Sequence, residues 1–141
     1  MPDILHRVGI AADPSRVFAA LTTIEGIRNW WSEETHGNAA RGGTFQFRRN
    51  RFDVVHAEPS RVTWHYSGPA EEWVGTEITF GLEWREIQTI LLFSHAGWRE
   101  PVEFMHHCST KWATFLLSLK DYVEQGHGRP EPRDTKIAVN A

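Results

Sequence analysis

Residues 76–125 read TEITFGLEWREIQTILLFSHAGWREPVEFMHHCSTKWATFLLSLKDYVEQ, and the hydrophobic period changes inside them. From Thr76 to Trp84 the period is two. Thr76, Ile78, Phe80, Leu82 and Trp84 share one face, with Glu77, Thr79, Gly81 and Glu83 on the other, as in a half-buried strand. A tight turn near Arg85-Glu86 leads to a second strand over Ile87 to His95, in which Thr89, Leu91, Phe93 and His95 share a face. After Gly97 the period lengthens to 3.6. Met105, Cys108, Trp112, Phe115, Leu116, Leu119 and Val123 recur at three- and four-residue steps, Pro101 precedes them, and Gly126 is placed to cap them. The spacing predicts a helix from Val102 to Gln125, about 36 Å long at 1.5 Å per residue. One apolar helix face and one apolar sheet face bury each other, so the class is α+β.

Working outward, Gly42 to Gly97 keeps the two-residue period. Phe45 and Phe47 alternate with polar residues, a polar turn around Asn50 leads into Phe52 to Ala57, and Glu58-Pro59-Ser60 turns the chain. Val62, Trp64 and Tyr66 make the next strand, which Ser67-Gly68-Pro69 breaks. Connections this short mean hairpins and an antiparallel meander. At the N-terminus, Ile4 to Ile10 reads as the first of six strands. Asp13 caps a short helix whose first residue is Pro14 and whose buried stripe is Val17, Phe18 and Leu21. A second helical turn covers Ile24 to Trp31, and the polar stretch from Ser32 to Arg41 reads as a loop. Residues 1–126 form one domain. From His127 onward, Pro130, Pro132 and alternating charges suggest a disordered tail.

The 141 residues suffice for one core that buries about two-thirds of the unfolded chain's surface. Fifteen Lys and Arg against 18 Asp and Glu leave a net charge of −3, which argues against sequence-independent nucleic-acid binding. An apolar share of 40% argues against wholesale disorder. The longest apolar run, Val17 to Leu21, is far short of the ~20 residues of a membrane span. No secretory signal is visible, and the single Cys108 has no disulfide partner, so the chain reads as cytosolic.

Several stretches carry a family likeness. Ile10-Ala11-Ala12-Asp13-Pro14-Ser15-Arg16-Val17-Phe18-Ala19-Ala20-Leu21-Thr22 resembles the opening of START/Bet v 1-like (SRPBCC superfamily) proteins, and Ile27-Arg28-Asn29-Trp30-Trp31 resembles their tryptophan pair. Gly42-Gly43-Thr44-Phe45, Glu58-Pro59-Ser60-Arg61-Val62-Thr63-Trp64 and the run from Thr89 to Trp98 are similar to their later strands. The likeness covers roughly residues 4–126 and is strongest to the branch named for homology to the activator of the 90-kDa heat-shock protein ATPase. It implies a helix-grip fold: a six-stranded curved antiparallel sheet, two short helices and a long C-terminal helix. Lys111-Trp112 stands where the branch usually has Gly-Trp, and a lysine does not permit the same close backbone approach.

Catalytic signatures such as G-x-S-x-G, H-E-x-x-H, a P-loop or a dinucleotide glycine fingerprint are absent from the sequence. Cys108 falls on the apolar stripe and reads as inert. His106-His107-Cys108 cannot converge on one ion, because adjacent helical residues point about 100° apart, so no metal and no cofactor are expected. The pairs Glu33-Glu34 and Glu71-Glu72, and the trio Arg48, Arg49 and Arg51, read as solvated faces. His95 has two readings: an acid, base or orienting group beside a cavity, or a hydrogen bond that secures the strand end; the second is favoured.

Seven Trp and eight Phe carry the most information. A curved sheet gripping a helix with bulky side chains leaves either a packed core or an apolar pocket. The resemblance favours a pocket for a small hydrophobic or aromatic molecule. Trp64, Tyr66, Phe80, Trp84 and Phe93 would contribute from the strands, and Met105, Trp112 and Phe115 from the helix. Trp30 closes one end, and His95 stands at the rim. A cyclase, dehydratase or hydrolase working in the same pocket, through His95 or His65 with Tyr66 as donor, is the second reading. A co-chaperone role ranks last, since named activators carry further chaperone-binding sequence and this chain ends 15 residues after Gly126.

Overall fold

The computed structural model describes residues 2–139. Strand β1 (Ile4–Ile10) is followed by helices α1 (Pro14–Thr22) and α2 (Ile24–Trp30). Then come β2 (His36–Gly37), β3 (Thr44–Phe47), β4 (Asn50–Glu58), β5 (Arg61–Gly68), β6 (Glu77–Arg85) and β7 (Gln88–Ala96), and the long helix α3 (Glu103–Gln125). The sheet is antiparallel in the order β1-β7-β6-β5-β4-β3-β2. This is the helix-grip arrangement, with seven strands where the sequence suggested six. The additional one lies in the expected loop: His36 and Gly37 pair with Gln46 and Phe45. Two residues are too few to show any period.

Local chemistry sets the boundaries. Asp13 accepts from the Arg16 amide, and Pro14 occupies the first turn of α1. Thr23 caps α2 by accepting from the Gly26 amide at 3.0 Å. Gly126 ends α3 in the left-handed region at φ 91°, where its N–H reaches the Tyr122 carbonyl at 2.9 Å. The β6–β7 hairpin turns through Glu86 and Ile87, with Glu86 at φ 60°. A register shift between Val54 and His56 bulges β4 and bends the sheet around the helix.

Helix and sheet meet as the periods predict. Cys108, Trp112, Phe115, Leu116, Leu119 and Val123 are buried on α3, against Val62, Trp64, Tyr66, Ile78, Phe80, Leu91 and Phe93 of the sheet. Trp84 departs from this pattern. It has the parity of Phe80 but is 49% exposed, because the end of β6 runs past the area that the helices cover.

The segment after α3 corrects the expectation of a disordered tail. Residues 127–139 fold back over α2 and α3. Ser118 donates to the Trp30 carbonyl at 2.8 Å and accepts from the Arg129 amide at 2.7 Å. Ser32 and Glu131 form a parallel bridge: the Glu131 amide donates to the Trp31 carbonyl at 2.7 Å, and the Glu33 amide donates to the Glu131 carbonyl at 3.0 Å. Gly128 makes the close approach possible, since a Cβ there would lie 2.6 Å from the Asn29 carbonyl oxygen and 2.7 Å from that of Ser118.

Candidate functional site

Stacked aromatic rings fill most of the space between sheet and helix. Trp31, which caps the C-terminus of α2, lies parallel to Trp64 with ring centroids 5.5 Å apart and 4° between planes. Trp30 stacks on Trp31 at 5.7 Å and secures its N–H to the Ala20 carbonyl at 2.9 Å. On the helix side Trp112 contacts Trp31 at 5.0 Å and Phe93 at 4.6 Å. Trp64, in turn, meets Phe80 edge-on at 4.9 Å. Trp30, Trp64, Phe80 and Phe93 are therefore core residues; the packed reading holds for the centre of the grip.

At one end the packing leaves a cavity of about 150 Å³. Phe104, Cys108, Trp112 and Phe115 of α3 form one side of it. Trp31, Phe47 and Trp73 form the other, with Asn50, His107, Lys111 and Glu131 also on its lining. Of the residues expected to line a pocket, Trp112 and Phe115 do so. Tyr66 stands behind the wall, donating to Asn50 Oδ1 at 2.7 Å and accepting the Ala70 amide at 2.8 Å. Met105 borders a separate depression with Ile4, Leu5 and Pro101, and Trp84 is at the far end of its strand. Trp31 was legible as part of the tryptophan pair, but Trp73 sits in an irregular loop and Glu131 in the returning segment, where no period exists to read.

His95 is held by two partners. Trp112 donates its indole N–H to His95 Nδ1 at 3.1 Å, and an indole can only donate. The imidazole is therefore neutral with its proton on Nε2, which donates to Thr76 Oγ1 at 2.8 Å. Thr76 donates its own hydroxyl hydrogen bond to the Trp73 carbonyl at 2.6 Å. Burial pushes the imidazole pKa down to about 3. Both nitrogens are occupied and the charged form is disfavoured, so this histidine secures the strand end and the Trp73 loop.

Burial also pushes the Cys108 thiol up to about 12, which leaves it protonated at neutral pH. Lys111 pairs with Asp134 of the returning segment and lies 5.2 Å over the Phe115 ring. Glu131 pairs with Arg48 at 2.8 Å. Both charges at the mouth are thus compensated. Glu33 and Glu34 pair with Arg133 and Arg48, and Glu71 and Glu72 are exposed. Among the described residues, no group of three His, Cys, Asp or Glu could hold a metal ion, and no helix is long and apolar enough to cross a membrane.

Residues 11–124 match the family model described as Activator of Hsp90 ATPase homolog 1-like protein. No curated protein matches the sequence. The solution structure of the Aha1 dimer from Colwellia psychrerythraea is 45% identical, over 91% of this chain and 100% of that one, with a TM-score of 0.83. The crystal structure of CalU16 from Micromonospora echinospora is 23% identical, over 92% of this chain and 77% of that one, with a TM-score of 0.74. SSP2350 from Staphylococcus saprophyticus is 20% identical, over 92% and 97%, with a TM-score of 0.75. The last two likenesses concern the fold.

Proposed function

Since this chain belongs to the Activator of Hsp90 ATPase homolog 1-like family, we propose that it is a ligand-binding domain that takes a small apolar or aromatic molecule between Trp31, Trp73, Trp112 and Phe115. The observation that carries this reading is the aromatic-walled cavity at the open end of an otherwise packed grip. Size limits the ligand. Drug-sized sites run from ~300 to 1,000 Å³, whereas about 150 Å³ is the size of cavity that accepts benzene. The occupant is one ring with a short substituent. An enzyme in this cavity would need an acid or base other than His95, both of whose nitrogens are engaged.

Thermal unfolding with single-ring probes such as toluene tests this reading. A ligand at about one hundred times its dissociation constant adds ~2.7 kcal/mol, which raises the melting temperature by roughly 8 °C in a domain of this size. Native mass spectrometry of freshly purified protein should show a co-purifying mass. Cys108→Leu, which adds carbon inside the cavity, should abolish the shift; no shift with any single-ring probe would refute the reading.

One observation favours a second reading. The Colwellia protein named Aha1, 45% identical over its whole length, is described as a dimer. A homodimer that stimulates an Hsp90-type ATPase is the corresponding proposal. Sedimentation and the chaperone's ATPase rate with and without this protein test it.

A further inference from the structure

We infer that the cavity takes a ring bearing a neutral hydrogen-bond acceptor, a carbonyl-substituted aromatic rather than a plain hydrocarbon. The inference rests on the ligand-binding reading and names the class of ligand. The indole N–H groups of Trp64, Trp73 and Trp98 are buried with no hydrogen-bond partner among the described residues, whereas those of Trp30 and Trp112 are paired. Of the three, Trp73 lines this cavity. Its N–H approaches the Cys108 sulfur, which is a weak acceptor. A buried donor in such a place is costly until an acceptor reaches it.

The neighbouring polar groups point the same way. Tyr66 donates to Asn50 Oδ1, which leaves the Asn50 amide with both Nδ2 hydrogens and one lone pair. Cys108 is a protonated thiol and adds an S–H. The lining also holds the Glu131 carboxylate, whose Oε1 lies 2.8 Å from Arg48 Nη2 as an ion pair but accepts no hydrogen bond. Trp73, Asn50 and Cys108 thus offer donors there that carry no charge, while the carboxylate acceptor is already neutralised by Arg48. A carboxylate ligand is not called for, because the Lys111 ammonium is already paired with Asp134. A carbonyl oxygen on an otherwise apolar ring suits both the aromatic wall and the donors.

Acetophenone and α-methylstyrene have nearly the same shape and differ in C=O against C=CH₂. Their dissociation constants should be measured by titration on the wild-type protein and on Trp73→Phe, which keeps a ring and removes the donor. The preference for acetophenone should fall roughly tenfold in the variant, about what one hydrogen bond contributes. Using the ratio cancels the difference in hydrophobicity between the probes. In ¹H–¹⁵N spectra of the wild type, acetophenone should move the Trp73 indole resonance downfield and α-methylstyrene should not, and this measurement decides the matter if the variant does not fold. Binding of both probes with the same ratio in both proteins, and an indole resonance indifferent to the carbonyl, would overturn the inference and leave the cavity as a site for hydrocarbons. Binding of neither probe would overturn the ligand-binding reading as well.

Discussion

Trp112 on α3 donates its indole N–H to Nδ1 of His95 on β7 at 3.1 Å, so a hydrogen bond between two buried side chains ties the long helix to the sheet behind the aromatic wall. The bond joins two residues that are both buried, at 2% and 0% exposure. Packing and polarity therefore depend on the same side chain.

Trp112→Ala should cost about 3–5 kcal/mol, the range for deleting a large buried aromatic. Trp112→Phe should cost ~1–3 kcal/mol, chiefly because it leaves His95 Nδ1 without a donor. Urea titration measures both. A loss under ~1 kcal/mol for the alanine variant would mean that Trp112 does not anchor the helix.

The same histidine makes stability depend on pH. Its folded pKa of about 3 lies below the ordinary 6.5, so the unfolded chain binds more protons between these values. Stability is then complete above pH 6.5 and falls as the pH drops towards 3, with a slope approaching ~1.4 kcal/mol per pH unit from this group. The window from 6.5 to 4.5 lies above the carboxylates held low by their partners, Asp13, Glu124 and Asp134. Urea midpoints across that window should decline, and His95→Asn, less stable overall, should lack this part of the decline. A flat wild-type profile would contradict the buried neutral imidazole.

Cys108 should resist iodoacetamide in the folded protein at pH 8, since burial both shields the sulfur and suppresses the thiolate. Modification should follow the rate of opening, and occupancy of the cavity by a single-ring probe should slow it further. Labelling as fast as that of a free thiol would place Cys108 outside the core.

Gly128→Ala should release the returning segment. The new Cβ would press on two backbone carbonyls, of Asn29 and Ser118, neither of which can swing away as a flexible side chain would. Trypsin should then cut after Arg133 and Lys136 much faster, while the main thermal transition shifts by no more than a few degrees. Unchanged proteolysis would mean that the segment is held elsewhere.

The fold was legible because it rests on periods that the chain repeats several times. Two-residue alternation marks β5, β6 and β7, and the stripe from Cys108 to Val123 marks α3, since each needs one apolar face whatever lies opposite. Asp13-Pro14 and Gly126 mark helix ends by local chemistry that requires no distant partner. For His95, parity with Phe93 pointed to the cavity face, and its place at a strand end to a hydrogen-bonding role; its bonds to Thr76 and Trp112 are of the second kind.

Other features depend on contacts between residues far apart in the chain. Trp84 shares its parity with Phe80, and exposure at the end of β6 was decided by how far the helices extend over the sheet. Glu131 reaches the cavity through backbone bonds to Trp31 and Glu33, about a hundred residues earlier, and Trp73 is placed there by Thr76 and His95. Periodicity states which side of an element is apolar. Whether the volume facing that side is filled, as it is by Trp30, Trp31 and Trp64, or left open beside Trp73, depends on how rings from different elements stack, and that was set only when the chain closed on itself.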